Sequence, residues 1–210
     1  MNDTPMIIGV TGQAGSGKTA CLEYIASRHF CEVIRADDVA KMLEKSGEVC
    51  FAPLVELLGP EILDGDGEID KKAMAERIFA DSELLKKVNG IVHPAVNAWI
   101  RQRIDERRNE GKPDFVFIEA ALLIENGYGE FTDELWYVYA DEDVRRKRLK
   151  EIRGYTDERI NGIIESQLSD SEFRRHCPVV IDNSGDFEVT KRRLDTLAGE
   201  RICGTKRAAQ

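Results

Sequence analysis

The sequence predicts an α/β protein of three layers, α/β/α, built on a five-stranded parallel sheet. A helical insertion follows the second strand, and an arginine-rich segment precedes the last. Three observations carry this expectation. Short apolar runs (Met6–Val10, Cys31–Ile34, Phe115–Ile118, Leu135–Tyr139 and Val179–Ile181) alternate with stretches of helical spacing, the pattern of a parallel sheet covered on both faces. Directly after the first run, Gly12, Gly17, Lys18 and Thr19 match G-x-x-x-x-G-K-[ST]. And 210 residues, 42% hydrophobic and 33% charged, suffice for the core of one domain.

Taken in order, Met6–Val10 reads as a buried strand, and the residues after Lys18 read as a helix with Leu22, Ile25 and Ala26 on one side. Between them Gly12, Gln13, Ala14, Gly15, Ser16, Gly17, Lys18 and Thr19 form the phosphate-binding loop that defines a P-loop fold. To wrap a triphosphate, successive backbone N–H groups turn inward, which glycine permits through positive φ and the lack of a Cβ. The helix that follows adds unsatisfied N–H groups and the positive end of its dipole. Lys18 brings a flexible point charge to the β- and γ-phosphates, and the Thr19 hydroxyl can ligate Mg²⁺.

Cys31–Ile34 is the second strand, followed by Arg35-Ala36-Asp37-Asp38 and a helix over Val39–Lys45. Asp37 and Asp38 therefore lie beyond a strand's carboxyl end, where ligands gather in open α/β sheets. Either a phosphoryl acceptor meets them or one of them caps the helix. From Ser46 to about Arg108 the pattern is helical, with breaks at Gly59-Pro60, at Asp64–Gly67 and at His93-Pro94. One helix spans Asp70–Phe79 on the stripe Ala73, Met74, Ile78. Another starts at Pro94, in the first helical position, and runs through Trp99 and Ile104 into Arg107 and Arg108. This block adds no strand to the sheet and is expected to fold over the second substrate, with His93 at the start of its last helix.

Phe115–Ile118 is a continuous apolar strand ending at Glu119, a carboxylate placed to hold Mg²⁺ directly or through water. Between the last two strands lies the most basic helix, Asp143–Lys150, with Arg153, Arg174 and Arg175 beyond it. Such a run is either a solvated face or a lid, here spanning 143–176, that closes over a nucleotide. Arg145 and Arg148 share one side of a helix; Arg153 does not. Arginine in a lid stabilises the charge of a transferring phosphoryl group.

The formal net charge of −9 argues against a nucleic-acid surface, which needs a basic footprint. No apolar run approaches membrane-spanning length, and Met1–Pro5 lacks the pattern of a signal peptide. The five cysteines, at 21, 31, 50, 177 and 203, show no metal-ligand spacing and suit reduced thiols. A cytoplasmic protein with a small-molecule substrate is expected, without nucleic-acid or membrane partners. Gly204–Gln210 should fray.

Several separated segments together resemble the dephospho-CoA kinase family. Gly9-Val-Thr-Gly-Gln-Ala-Gly-Ser-Gly-Lys-Thr19 is similar to its Gly-Leu-Thr-Gly-Gly-Ile-Gly-Ser-Gly-Lys-Ser, and Ala36-Asp37-Asp38-Val39-Ala40 to its Ala-Asp-x-Ile-Ala. Asp66–Lys71, Arg77-Ile78-Phe79 and Val92-His93-Pro94 follow its CoA-binding insertion, over 46–110 in this chain. Leu122-Leu123-Ile124-Glu125, Gln167 and Val180–Gly185 resemble its later segments. Arg145 stands where the family has glutamine, and Ile152 where it has arginine, with Arg153 one place along. The resemblance implies MgATP-dependent phosphorylation of the ribose 3′-hydroxyl of dephospho-CoA, with ATP and Mg²⁺ as cofactors. It implies Asp37 as the base, with Lys18 and Arg148 neutralising the transferring group. Gly12–Thr19 and Asn183 would bind ATP, Thr19 and Glu119 the metal, and His93, Arg77 and Glu125 the CoA moiety. Another small P-loop kinase, acting on a nucleoside monophosphate or a small alcohol, is the alternative. A GTP-driven switch fits less well, because Asn183-Ser184-Gly185-Asp186 lacks the lysine of N-K-x-D.

Overall fold

The computed structural model describes residues 4–79 and 81–208; the expectations for Met1–Asp3 and for the last two residues lie outside these. In chain order the elements are β1 (Met6–Thr11), α1 (Lys18–Arg28), β2 (Cys31–Arg35), α2 (Ala36–Leu43), α3 (Phe51–Leu58), α4 (Lys71–Phe79) and α5 (Ser82–Glu110). Then come β3 (Phe115–Glu119), β4 (Glu134–Tyr139), α6 (Glu142–Arg153), α7 (Asp157–Glu165), α8 (Asp170–His176), β5 (Val179–Asp182) and α9 (Phe187–Ala208). The backbone divides into two compact units, Met1–Val33 with Glu106–Gln210, and Ile34–Asp105.

The first unit carries the sheet, whose strand order is β2-β3-β1-β4-β5. β1 pairs in parallel with β3 (Ile8 opposite Phe117) and with β4 (Val10 opposite Trp136), and β4 pairs in parallel with β5 (Val138 opposite Ile181). Because side chains alternate along a strand, the sheet feeds two cores. On one face Ile8, Val10, Phe117, Trp136 and Val138 pack with Leu22 and Ile25 of α1 and Leu194 and Leu197 of α9. On the other, Leu135, Tyr137 and Tyr139 meet Phe173 of α8, Ile124 and Leu168. Helices on both faces explain why the strands read as continuous apolar runs.

The same burial sets a pH dependence. Cys21 is pushed up from 9.0 to about 12, chiefly by desolvation. Burial likewise lifts Cys31 and Cys177 to about 11, and raises Tyr137. Each group keeps its proton in the folded chain at a pH where the unfolded chain has lost it. The unfolded state then binds fewer protons, so stability is intact below about pH 9 and declines as the pH climbs towards 11–12. We expect Tm to fall between pH 8 and pH 10.5, and the fall to shrink in Cys21→Ala. A Tm independent of pH across that range would contradict the assignment.

Apart from Ile34 and Arg35 at the end of β2, the second unit carries no named strand among the described residues and is helical. Its one bridge, Leu63 to Ile69, closes the turn made by Asp64–Gly67, where Asp64 Oδ1 accepts from the Asp66 and Glu68 N–H groups. Asp70 Oδ1 accepts from Lys72 and Ala73 N–H and so caps α4, whose helix begins one residue later than expected. Lys71 pairs with the buried carboxylate of Glu44.

Three expectations need correction. No helix starts at Pro94: α5 runs unbroken from Ser82 to Glu110 with Pro94 inside it. An internal proline costs a backbone hydrogen bond and crowds the preceding turn. The buried stripe Val88, Val92, Val96, Ile100, Ile104 continues through it at four-residue spacing, while Pro94 itself faces solvent. Burial of that stripe outweighs the local break. Next, α2 begins at Ala36, so Asp37 and Asp38 lie in its first turn rather than ahead of it, and the capping position falls to Arg35. Finally, α9 carries the backbone as helix through Ala208, where fraying was expected from Gly204.

Candidate active site

Around β1 the strand order reverses: the chain goes to β2 and β3 on one side and to β4 and β5 on the other. The carboxyl end of β1 is therefore the switch point where an open sheet leaves a crevice. The phosphate loop occupies that end. Ser16 N–H donates to Gln13 O at 3.1 Å, and Lys18 Nζ donates to Gly12 O at 2.6 Å, drawing the ammonium over the loop. Gly15 has φ 80° and lies so close to α6 that a Cβ there would come 2.8 Å from the Arg145 carbonyl oxygen. Gly17, at φ 93°, is the N-cap of α1, and no side chain caps that helix.

These features fit a polyphosphate. The first N–H groups of an uncapped helix have no intrahelical acceptor, and they sit beside a loop that excludes Cβ atoms and beside an ammonium group. The Ser16 hydroxyl is buried without a hydrogen-bond partner. Thr19 is exposed in the first turn of α1, and Glu119 is half-buried at the end of β3; each offers oxygen of the kind a magnesium ion takes. Among the described residues no cluster of three or more His, Cys, Asp or Glu side chains forms an all-protein metal site.

Side chains from far along the chain hold the loop's backbone. Arg148 of α6 donates from Nη1 to Gly15 O (3.3 Å) and Ser16 O (3.2 Å), and from Nη2 to Asn183 O (2.8 Å). Asn183, only 3% exposed, donates from Nδ2 to Ser16 O at 2.7 Å and accepts from the Thr190 hydroxyl. Gln167 accepts from the Ala14 N–H at 3.0 Å. Arg145 is 3% exposed and donates from Nε to Ala140 O at 3.1 Å.

The basic helix is thus no solvated charge run on this side: Arg145 and Arg148 face inward together, as their spacing predicts, while Arg153 is exposed at the far end. α6 stops at Gly154 (φ 65°), with Gly154 N–H on Lys150 O and Tyr155 N–H on Leu149 O, the paired bonds of a glycine-terminated helix. α7 then folds back, tied by Lys150 to Asp157 (2.8 Å) and by Arg146 to Asn161 (2.7 Å).

Removing the Arg148 fork takes a donor from three buried or half-buried carbonyls, of which Ser16 O keeps the Asn183 amide. We expect Arg148→Ala to lower stability by about 1.5–3 kcal/mol, since hydrogen bonds from a charged donor are the stronger kind. In a chain of this size that moves Tm down by about 4–10 °C. Arg148→Lys should recover little, because a single ammonium cannot reproduce the fork. An unchanged Tm in Arg148→Ala would contradict the bracing role.

The remaining sequence-derived residues stand as follows. Glu125 is exposed in the turn after β3, in the first unit. In the second unit Asp37 is exposed in the first turn of α2, Arg77 is exposed on α4, and His93 is half-buried in the middle of α5. Asp38 pairs with Lys41 at 2.8 Å, and the two side chains hydrogen-bond at the surface. The motif gave no sign of the loop's lateral supports, Tyr137 with Gln13 above all. Their partners lie more than a hundred residues away, and the one available signal was a polar residue inside an apolar strand.

The family profile described as dephospho-CoA kinase matches residues 6–188. The chain is 35% identical to the dephospho-CoA kinase of Geobacter sulfurreducens, over 93% of this chain and 98% of that one. It is 32% identical to the dephospho-CoA kinase of Dehalococcoides mccartyi, over 93% and 98% respectively. Among solved structures, the dephospho-CoA kinase of Campylobacter jejuni aligns with TM-score 0.73 at 21% identity, covering 95% of this chain and 98% of that one. The shikimate kinase of Acinetobacter baumannii aligns with TM-score 0.54 at 11% identity over 96% of each chain, a likeness of fold alone.

Proposed function

The chain belongs to the dephospho-CoA kinase family, and from that premise we propose that it phosphorylates the ribose 3′-hydroxyl of dephospho-CoA with ATP, giving coenzyme A and ADP. It is a kinase of P-loop fold. The observation that carries the reading is that the family match extends beyond the phosphate loop, which many enzymes share, through the Ala36–Ala40 and Val92–Pro94 segments.

In this reading Asp37 accepts the proton of the acceptor hydroxyl as its oxygen forms a bond to the γ-phosphorus. The bond to the bridging oxygen breaks, and its electrons leave with ADP. The Gly12–Thr19 backbone cradles the phosphates, and Lys18 neutralises charge on the β- and γ-groups. Arg148 serves the transferring group while its fork also shapes the loop. Asn183 holds the loop's far side. Thr19 and Glu119 would hold Mg²⁺, which would supply charge stabilisation to the phosphate oxygens. His93, Arg77 and Glu125 meet the CoA moiety, within an insertion over 46–110 for the first two. A lid over 143–176 excludes water that would otherwise take the phosphoryl group. Among the described residues no helix is long and apolar enough to cross a membrane. A small soluble substrate and reduced thiols support a cytoplasmic location.

The test is ADP release by the purified protein with MgATP and a panel of acceptors: dephospho-CoA, AMP, CMP, shikimate and gluconate. Release dependent on dephospho-CoA is expected. Turnover of another acceptor alone would keep the kinase and discard the substrate.

A further inference from the structure

The Gln13 side chain sits in the phosphate loop yet turns into the protein, where it is 7% exposed. Its Nε2 donates to Leu168 O at 3.2 Å, and its Oε1 accepts from the Tyr137 hydroxyl at 3.1 Å. The orientation is forced: a carbonyl can only accept, so the amide nitrogen faces Leu168 and the oxygen faces the hydroxyl. Tyr137 lies in β4, with its ring stacked on Phe173 of α8 at 4.7 Å and 10°. One residue along the loop, Ala14 N–H donates to Gln167. The junction between α7 and α8 is thus pinned to two successive loop residues, and the Tyr137 hydroxyl fixes the pin from the sheet. The charges nearest that hydroxyl are Asp170, Arg145 and Arg174. Asp170, whose Oδ2 accepts from Arg174, also lies close enough to hydrogen-bond with the hydroxyl, so Tyr137 meets both Gln13 and Asp170, while Arg145 Nη1 is buried without a hydrogen-bond partner.

We propose that Gln13 and Tyr137 are positioning residues for nucleotide binding: together they fix the phosphate loop against the α7–α8 junction, so that the junction's position sets the loop's grip on ATP. The proposal rests on the kinase reading above. It assigns Gln13's side chain to the interior and leaves only its backbone to the phosphates. Neither side chain touches the reacting atoms. Their removal therefore changes the affinity for ATP and leaves the chemical step alone.

Two volume-conserving variants test this. Tyr137→Phe keeps the ring stack and deletes the hydroxyl, and Gln13→Met keeps the bulk and deletes the amide. Each is expected to raise KM for MgATP about three- to tenfold, the worth of one lost hydrogen bond. kcat should stay within about twofold, and KM for dephospho-CoA should not change. The double variant should be no worse than the poorer single one by more than about twofold, because both break one couple. A lowered Tm with an unchanged KM for MgATP in both variants would show a merely structural role and overturn the proposal, as would fully additive losses. Calorimetric ATP affinity, measured on the same proteins without acceptor, separates this from the choice of substrate. Weakened ATP binding supports the couple even if dephospho-CoA is not turned over, and equal binding overturns it.

Discussion

Asp37→Asn is expected to lower kcat with dephospho-CoA by about 10²- to 10⁴-fold, the usual worth of a positioned general base. Affinity for MgATP should stay within about twofold. The two aspartates that follow β2 are not equivalent. Asp38 is occupied by Lys41 at 2.8 Å, whereas Asp37 is exposed and makes no hydrogen bond among the described residues. Neither is the N-cap of α2, a position held by Arg35, so helix capping does not account for Asp37. Asparagine keeps the shape and one acceptor oxygen but cannot take the proton. Asp38→Asn should alter kcat by less than about fivefold, which makes the pair a test of position as well as of chemistry. Near wild-type turnover in Asp37→Asn, with ATP still bound, would remove it as the base.

Lys18→Met is the second large effect, an expected loss of about 10²- to 10³-fold in kcat. Methionine fills the same stem but removes the charge. Lys18 Nζ donates to Gly12 O at 2.6 Å, which holds the ammonium against the phosphate loop. A loose transition state develops charge on the leaving oxygen between the β- and γ-phosphorus, so the loss should appear in kcat and also in ATP affinity, since the ground-state phosphates are charged too. Lys18→Arg should not rescue it, because a planar fork does not fit a cradle shaped for a compact point charge. A loss confined to KM, with kcat intact, would assign Lys18 to uniform binding alone.

How far the sequence carries depends on whether the determining interaction is local. The strands, the phosphate loop and the order of segments are local patterns, and the sheet realises them within a residue or two. Pro94 shows where local reading fails: the break was legible, but the Val88–Ile104 stripe that overrides it is a matter of burial. Charge misleads in the same way at Arg145. A run of Arg and Lys reads as a solvated face, yet the side chain is 3% exposed and donates to Ala140 O. Asn183 could be singled out as a site residue, but its two amide ends, on Ser16 O and Thr190, belong to a tertiary arrangement that no spacing reveals. Gln13 and Tyr137 are 124 positions apart, and only the folded sheet brings them together.

The central claim is the identity of the acceptor atom. The most direct measurement is a single-turnover reaction of the purified protein with dephospho-CoA and ATP labelled in its γ-phosphate, in the presence of Mg²⁺, with the label located in the products. The account predicts label on the ribose 3′-oxygen of coenzyme A, formed in step with ADP and slowed about 10²- to 10⁴-fold in Asp37→Asn. Label appearing only as inorganic phosphate, or on another hydroxyl, would contradict it.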